Sequence, residues 1–181
     1  HPIPRRQRQM CIRDRLIECA LKNNIQNCLA VTPYYNRPTQ KGLELHYKEL
    51  AKVEANIILY NVPTRTGVDL KPETIEKLLA TSNITGIKEA INSKERFKEL
   101  RQIKDKREDF MLYSGDDPSF VEFMKFKGDG IISVAANIIP REIRELSDDC
   151  LEGNFAKAEK VIQNYQEIFK LLFIEASPSP C

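Results

Sequence analysis

Five short runs of apolar and β-branched residues recur along this 181-residue chain, and their spacing leaves few folds open. They are residues 28–35 (CLAVTPYY), 56–61 (NIILYN), 84–90 (ITGIKEA), 110–116 (FMLYSGD) and 130–137 (GIISVAAN). Each is almost continuously apolar, the pattern of strands buried on both faces. Between them Leu43, Tyr47 and Leu50, then Ile75, Leu78 and Leu79, then Phe97, Leu100 and Ile103, then Phe120, Phe123 and Met124 fall at helical spacing. Ser93 reads as the cap of the third helix, and Asp117-Pro118 as the start of the fourth. Run starts at 28, 56, 84, 110 and 130 lie 28, 28, 26 and 20 residues apart, so the chain reads as consecutive βα units on a parallel sheet.

Two architectures accept such a series. A doubly wound sheet places a Gly-rich phosphate turn after an early strand, whereas Gly128 and Gly130 here precede one. The pattern therefore favours the (β/α)8 barrel. A closed barrel needs eight strands and about 250 residues, so five strands predict a partial barrel. Beyond them the sequence predicts a helix over 140–150, a stop at Gly153, and an amphipathic helix marked by Phe155, Ala158, Ile162, Tyr165, Phe169 and Leu172. Residues 1–15 show no periodicity and the tail SPSPC ends abruptly, so both ends read as breaks in a longer chain.

Composition removes several function classes. With 41% apolar and 30% charged residues the chain suits one packed core, and no run approaches the roughly 20 apolar residues of a membrane span. No leader-like apolar block follows the first basic residues, so the expectation is a soluble, intracellular protein. Cysteines 11, 19, 28, 150 and 181 contain no C-x-x-C and only two histidines accompany them, which supports neither a disulfide framework nor a zinc site. Of the net charge of +2, residues 1–15 carry a local +4 from Arg5, Arg6, Arg8, Arg13 and Arg15 against Asp14, leaving −2 for the rest. Elsewhere Lys and Arg alternate with Glu along helical patterns, as on a solvated surface rather than a nucleic-acid face.

Barrel enzymes carry their reactive groups where strands end. The polar residues there are Tyr34 and Tyr35, Tyr60 and Asn61, Lys88, Ser114 and Asp116, and Ser133. Strand alternation turns Lys88 away from Ile87 and Glu89, so an inward Lys88 enters an aliphatic interior that disfavours its ammonium form. A neutral amine is what attack on a carbonyl to form a Schiff base requires. On pattern alone, a lysine snorkelling into solvent is the commoner case. Tyr60 reads as a proton relay or as a rim aromatic, and Arg65 in VPTRTG as a carboxylate clamp or a solvated loop residue. Asp117 reads as a helix cap and His46 as a surface residue. Ser133 lacks the His or Cys partner of a nucleophile system.

The segments VTPYYNRPTQKG (31–42), ILYNVPTRTG (58–67), GIKEA (86–90), SGDD (114–117) and GIISVAAN (130–137) resemble the dihydrodipicolinate synthase family, in order and approximate spacing. The resemblance implies a (β/α)8 barrel, here about strands 4 to 8, with a helical C-terminal extension and usually a homotetramer. It implies a cytoplasmic lyase of lysine and diaminopimelate biosynthesis that condenses pyruvate with aspartate 4-semialdehyde. No cofactor or metal is expected beyond the covalent imine. Lys88 would be the Schiff-base lysine, Tyr60 the proton relay and Tyr35 a tyrosine reaching a neighbouring subunit's site. Arg65 would bind the semialdehyde carboxylate, the Ile132 carbonyl would face the site, and Tyr34 would lie near a lysine-feedback pocket. The family's GTTGE turn does not occur in this sequence, and RRQRQMCIRDR does not match the family. Residues 1–15 are therefore expected to be an unmatched basic segment, read as a sequence junction. Residues 16–139 are expected as the partial barrel and 140–181 as truncated helices. The competing readings are N-acetylneuraminate lyase or a 2-keto-3-deoxy-sugar-acid aldolase of the same superfamily, which need a polyol-binding turn where this chain has Arg65, and an inactive barrel fragment.

Overall fold

The computed structural model describes residues 5–176, 179 and 180, with side chains from Arg13 onward. Helix α1 (Arg5–Lys22) leads into β1 (Asn27–Val31), α2 (Gln40–Leu50), β2 (Asn56–Asn61), the single-turn α3 (Pro63–Thr66), α4 (Pro72–Leu78) and β3 (Ile84–Glu89). Then come α5 (Lys94–Lys106), β4 (Met111–Ser114), α6 (Phe120–Lys125), β5 (Gly130–Ile131), a 3-10 turn (Ala135–Asn137), α7 (Pro140–Leu151), α8 (Phe155–Asn164) and α9 (Gln166–Leu171). The five strands follow sequence order in one sheet. β1 runs parallel to β2, with Val31 opposite Tyr60, and β4 parallel to β5, with Tyr113 opposite Gly130. The chain divides into two compact units, His1–Ile87 with Lys106–Phe110, and Lys88–Asp105 with Met111–Cys181.

In the first unit Leu43, Tyr47 and Leu50 of α2, Ile57 and Leu59 of β2, and Ile75 and Leu78 of α4 are buried. Such side chains each contribute about 1.5–3 kcal/mol through removal from water. The Tyr47 hydroxyl donates to the Ala30 carbonyl at 3.1 Å, so the largest of them keeps its polar tip satisfied. Two side chains gather carbonyls from the loops that lead into strands. Arg107 donates to Leu79, Thr81, Ser82 and Ile84, and Asn83 to Ala51, Val53 and Ala55. In the second unit Phe120, Val121, Met124, Ile143, Leu146, Ala158, Phe169 and Leu172 form one apolar cluster. Phe97 meets Phe123 edge-on with centroids 5.1 Å apart.

Several expectations are corrected. The aperiodic N-terminal stretch contains α1, which begins at Arg5 and runs across residue 15; Arg and Gln are good helix formers that leave no apolar stripe to detect. His46 is buried, at 9% exposure, because α1 packs on α2. Its Nε2 accepts a hydrogen bond from Arg13 at 3.0 Å, and burial, aided by the Arg13 charge, pushes its pKa down to about 4. The last strand stops at Ile131 rather than 137 because side chains take the backbone donors that follow: Asp117 accepts from Val134 and Ala135, and Ser133 from Ala136. Asp117 is thus no simple cap, and Asp116 accepts from Ser119 N at 3.1 Å before α6, whose first residue is Phe120 rather than Pro118. The single C-terminal helix expected after Gly153 is two helices, divided at Tyr165.

Candidate active site

The two units each carry part of the residue set that the sequence singled out. In the first, Tyr60 is the penultimate residue of β2, half-buried, and its carbonyl accepts from Thr32 N at 3.1 Å. Burial raises the phenol above its ordinary pKa, and the Arg65 guanidinium works in the opposite direction. That opposition brings Tyr60 and Arg65 within electrostatic reach of each other. Arg65 is exposed on α3, and the sequence explains where that turn sits. Pro63 starts it with a preset φ, and Gly67 ends it in the left-handed region at φ 66, donating its N–H to Pro63 O. Buried Asn61 fixes the segment behind, donating to Asp69 at 2.8 Å and accepting from Leu70 N at 2.9 Å. The guanidinium of Arg37, itself at a φ of 38, lies against Gly67. Tyr34 and Tyr35 follow β1 and are exposed, at 55% and 71%.

In the second unit Lys88 lies near the end of β3 at 7% exposure. Burial holds its pKa below the ordinary lysine value, and the Asp117 carboxylate partly offsets this. Asp117 is itself buried, accepts from the Ser133 hydroxyl and anchors the chain after β5. Ile132, in that same segment, is half-buried and donates its N–H to Ser114 O at 2.9 Å. Glu89 is 1% exposed, accepts from Ile91 N at 2.9 Å and faces Arg96 at 3.8 Å, a paired charge beside the lysine. Lys88, Asp117, Ser133 and Ile132 therefore belong to one unit, and Tyr60 and Arg65 to the other.

Two residues escaped the sequence reading. Gly115 of SGDD lies directly against the Lys88 side chain: a β-carbon built there would come within 2.9 Å of Lys88 Cε and 3.1 Å of Cγ. A glycine beside a second polar strand end was the available signal, but only the fold says which side chain fills its space. Thr32 of VTPYY is fully buried, and its hydroxyl oxygen is without a hydrogen-bond partner among the described residues. A strand-end threonine looks the same in sequence whether its hydroxyl is satisfied or not. No group of three or more metal-ligating side chains occurs among the described residues, and no described helix is long and apolar enough to cross a membrane.

Comparison with known proteins places this geometry. The model of the dihydrodipicolinate synthetase family matches residues 16–181. The 4-hydroxy-tetrahydrodipicolinate synthase of Erwinia tasmaniensis is 46% identical over 159 residues, covering 87% of this chain and 54% of that protein. Among solved structures, a chloride-inhibited dihydrodipicolinate synthase from Acinetobacter baumannii complexed with pyruvate superposes with a TM-score of 0.86 at 39% identity. It covers 92% of this chain and 57% of that one. A monomeric dihydrodipicolinate synthase variant has a TM-score of 0.86 at 38% identity, covering 91% and 56%. The chain thus spans about half the length of the relatives it matches. With an α/β fold on a parallel sheet and a family match over residues 16–181, the chain belongs to the dihydrodipicolinate synthetase family.

Proposed function

We propose that the protein carrying this chain condenses pyruvate with aspartate 4-semialdehyde to 4-hydroxy-tetrahydrodipicolinate, through an imine on Lys88. The observation that carries the reading is the Lys88 amine, 7% exposed near a strand end, with burial disfavouring its charged form. In its neutral form the Nζ lone pair attacks the keto carbon of pyruvate, and loss of water leaves the imine. Removal of a methyl proton gives the enamine, whose carbon attacks the semialdehyde aldehyde. Ring closure by the semialdehyde amine then displaces Lys88 and regenerates the free lysine.

Other residues take roles by their chemistry. Tyr60, whose raised phenol pKa keeps it protonated at neutral pH, donates and recovers protons as the imine forms. Tyr35 joins that relay from a neighbouring subunit, and Arg65 clamps the semialdehyde carboxylate in a bidentate fork. The Ile132 carbonyl faces the substrate, and Tyr34 borders a lysine-feedback pocket. The pyruvate bound in the A. baumannii relative supports the substrate, and the synthase relatives weigh against the neuraminate-lyase and sugar-acid aldolase alternatives. In the same reading, residues 16–139 form an arc of about strands 4 to 8 of the barrel, 140–181 form appended helices, and 1–15 lie outside the family pattern. The whole protein is a cytoplasmic homotetramer. Incubation with pyruvate and borohydride tests the chemistry: the peptide containing Lys88 should gain the mass of a reduced pyruvate adduct. No adduct, or an adduct on another lysine, would overturn the reading.

A further inference from the structure

We infer that Gly115 is a positioning residue for Lys88: the missing side chain at Gly115 is the space through which the lysine extends to present its amine. The contact is close along most of the side chain. A β-carbon on Gly115 would fall 2.9 Å from Lys88 Cε and 3.1 Å from Cγ, nearer than carbon atoms pack. Its third neighbour would be the Glu89 carbonyl oxygen at 3.2 Å, which already accepts the Gly115 N–H at 2.7 Å. That hydrogen bond ties the end of β4 to the end of β3, so the backbone has little freedom to retreat. Gly115 is absent from the left-handed glycines, so a demand for space rather than for an unusual φ accounts for it.

The lysine therefore yields first. With Lys88 only 7% exposed and its neighbour Glu89 1% exposed, it has few alternative directions. A methyl group at 115 turns the chain at Cγ and displaces Nζ, and a misplacement of about 1 Å is large on the scale of a nucleophile's required aim. SGDD thus acts on Lys88 twice: Gly115 admits the side chain, and Asp117 supplies an opposite charge within electrostatic reach.

The inference rests on Lys88 as the imine-forming residue, and two measurements on the 181-residue chain keep the two ideas apart. In the first, the rate of pyruvate trapping on Lys88 by cyanoborohydride is followed against pH for the wild type and Gly115→Ala. The variant should trap about 10- to 100-fold more slowly. Its pH midpoint should shift as well, because the displaced amine no longer has the same burial or the same distance from Asp117. Trapping at the wild-type rate with an unchanged midpoint would overturn the inference, whereas a wild type that never traps pyruvate would overturn the proposed function instead. The second measurement needs no chemistry. Gly115→Ala should lower the Tm, and the same substitution in a Lys88→Ala background should lower it much less, because the atoms it collides with are gone. Equal losses in both backgrounds would place the collision on the Glu89 carbonyl and overturn the inference even if the single variant is too unstable for trapping.

Discussion

In the proposed function, Lys88 serves chemistry at the expense of the fold. Its pKa is lower in the folded chain than the ordinary 10.5 because burial penalises the ammonium. Between the two values the unfolded chain holds more protons than the folded one, so stability rises with pH through that window and is lowest below it. Lys88→Met keeps length and volume and removes the charge, so the variant should melt higher than wild type at pH 7. The gap should close as the pH approaches 10.5. Thermal unfolding followed at several pH values checks this; a gap independent of pH would mean that the lysine is not a strained charge. The sequence singled out Lys88 and Tyr60 by strand-end position and Arg65 by its turn, and the family resemblance suggested their roles. It missed Gly115, whose fit against Lys88 is a matter of what lies opposite it in space, and the buried Thr32 hydroxyl, and it misplaced His46, because the partner that buries it belongs to a helix with no apolar period.

At the level of elements, β2 was readable to the residue and β3 to within one residue at its end, since both are apolar runs bounded by polar loops. The end of β5 was not, because Val134 to Ala136 look like strand until Asp117 and Ser133 claim their N–H groups. The loops into the strands depend on side chains just as heavily. Arg107 donates to four carbonyls across the segment from Leu79 to Ile84, and its side chain is 16% exposed. Arg107→Ala should therefore destabilise the fold by about 2–3 kcal/mol, the scale of hydrogen bonds to a charged donor whose loss leaves acceptors unpaired. Arg107→Lys should recover little of that, because a single ammonium cannot span the same carbonyls. Urea unfolding of the two variants distinguishes them: full recovery by lysine would reduce Arg107 to a simple charge.

Across the whole molecule, β1 and β5 end the sheet order, so each has one edge without a strand partner among the described residues. Leu29 of β1 is 45% exposed and Ile25, just before that strand, 54%, with Leu16 of α1 at 64%. Apolar side chains next to an open strand edge favour association. The chain should sediment as a concentration-dependent mixture of species larger than a monomer, and Leu29→Lys should shift it towards the monomer. A wild type that remains monomeric across the concentration range would show that this edge is adequately protected by its own charges.

The sheet's strand order also has a bearing on how the molecule is made. Asn27 pairs with Asn56, 29 residues later, and Tyr113 with Gly130, 17 residues later. Each strand thus finds a partner soon after it is synthesised, and closing so short a loop costs little chain entropy. Each emerging strand can add to the rim left by the one before, so an apolar strand waits only for the next βα unit rather than for the whole sheet.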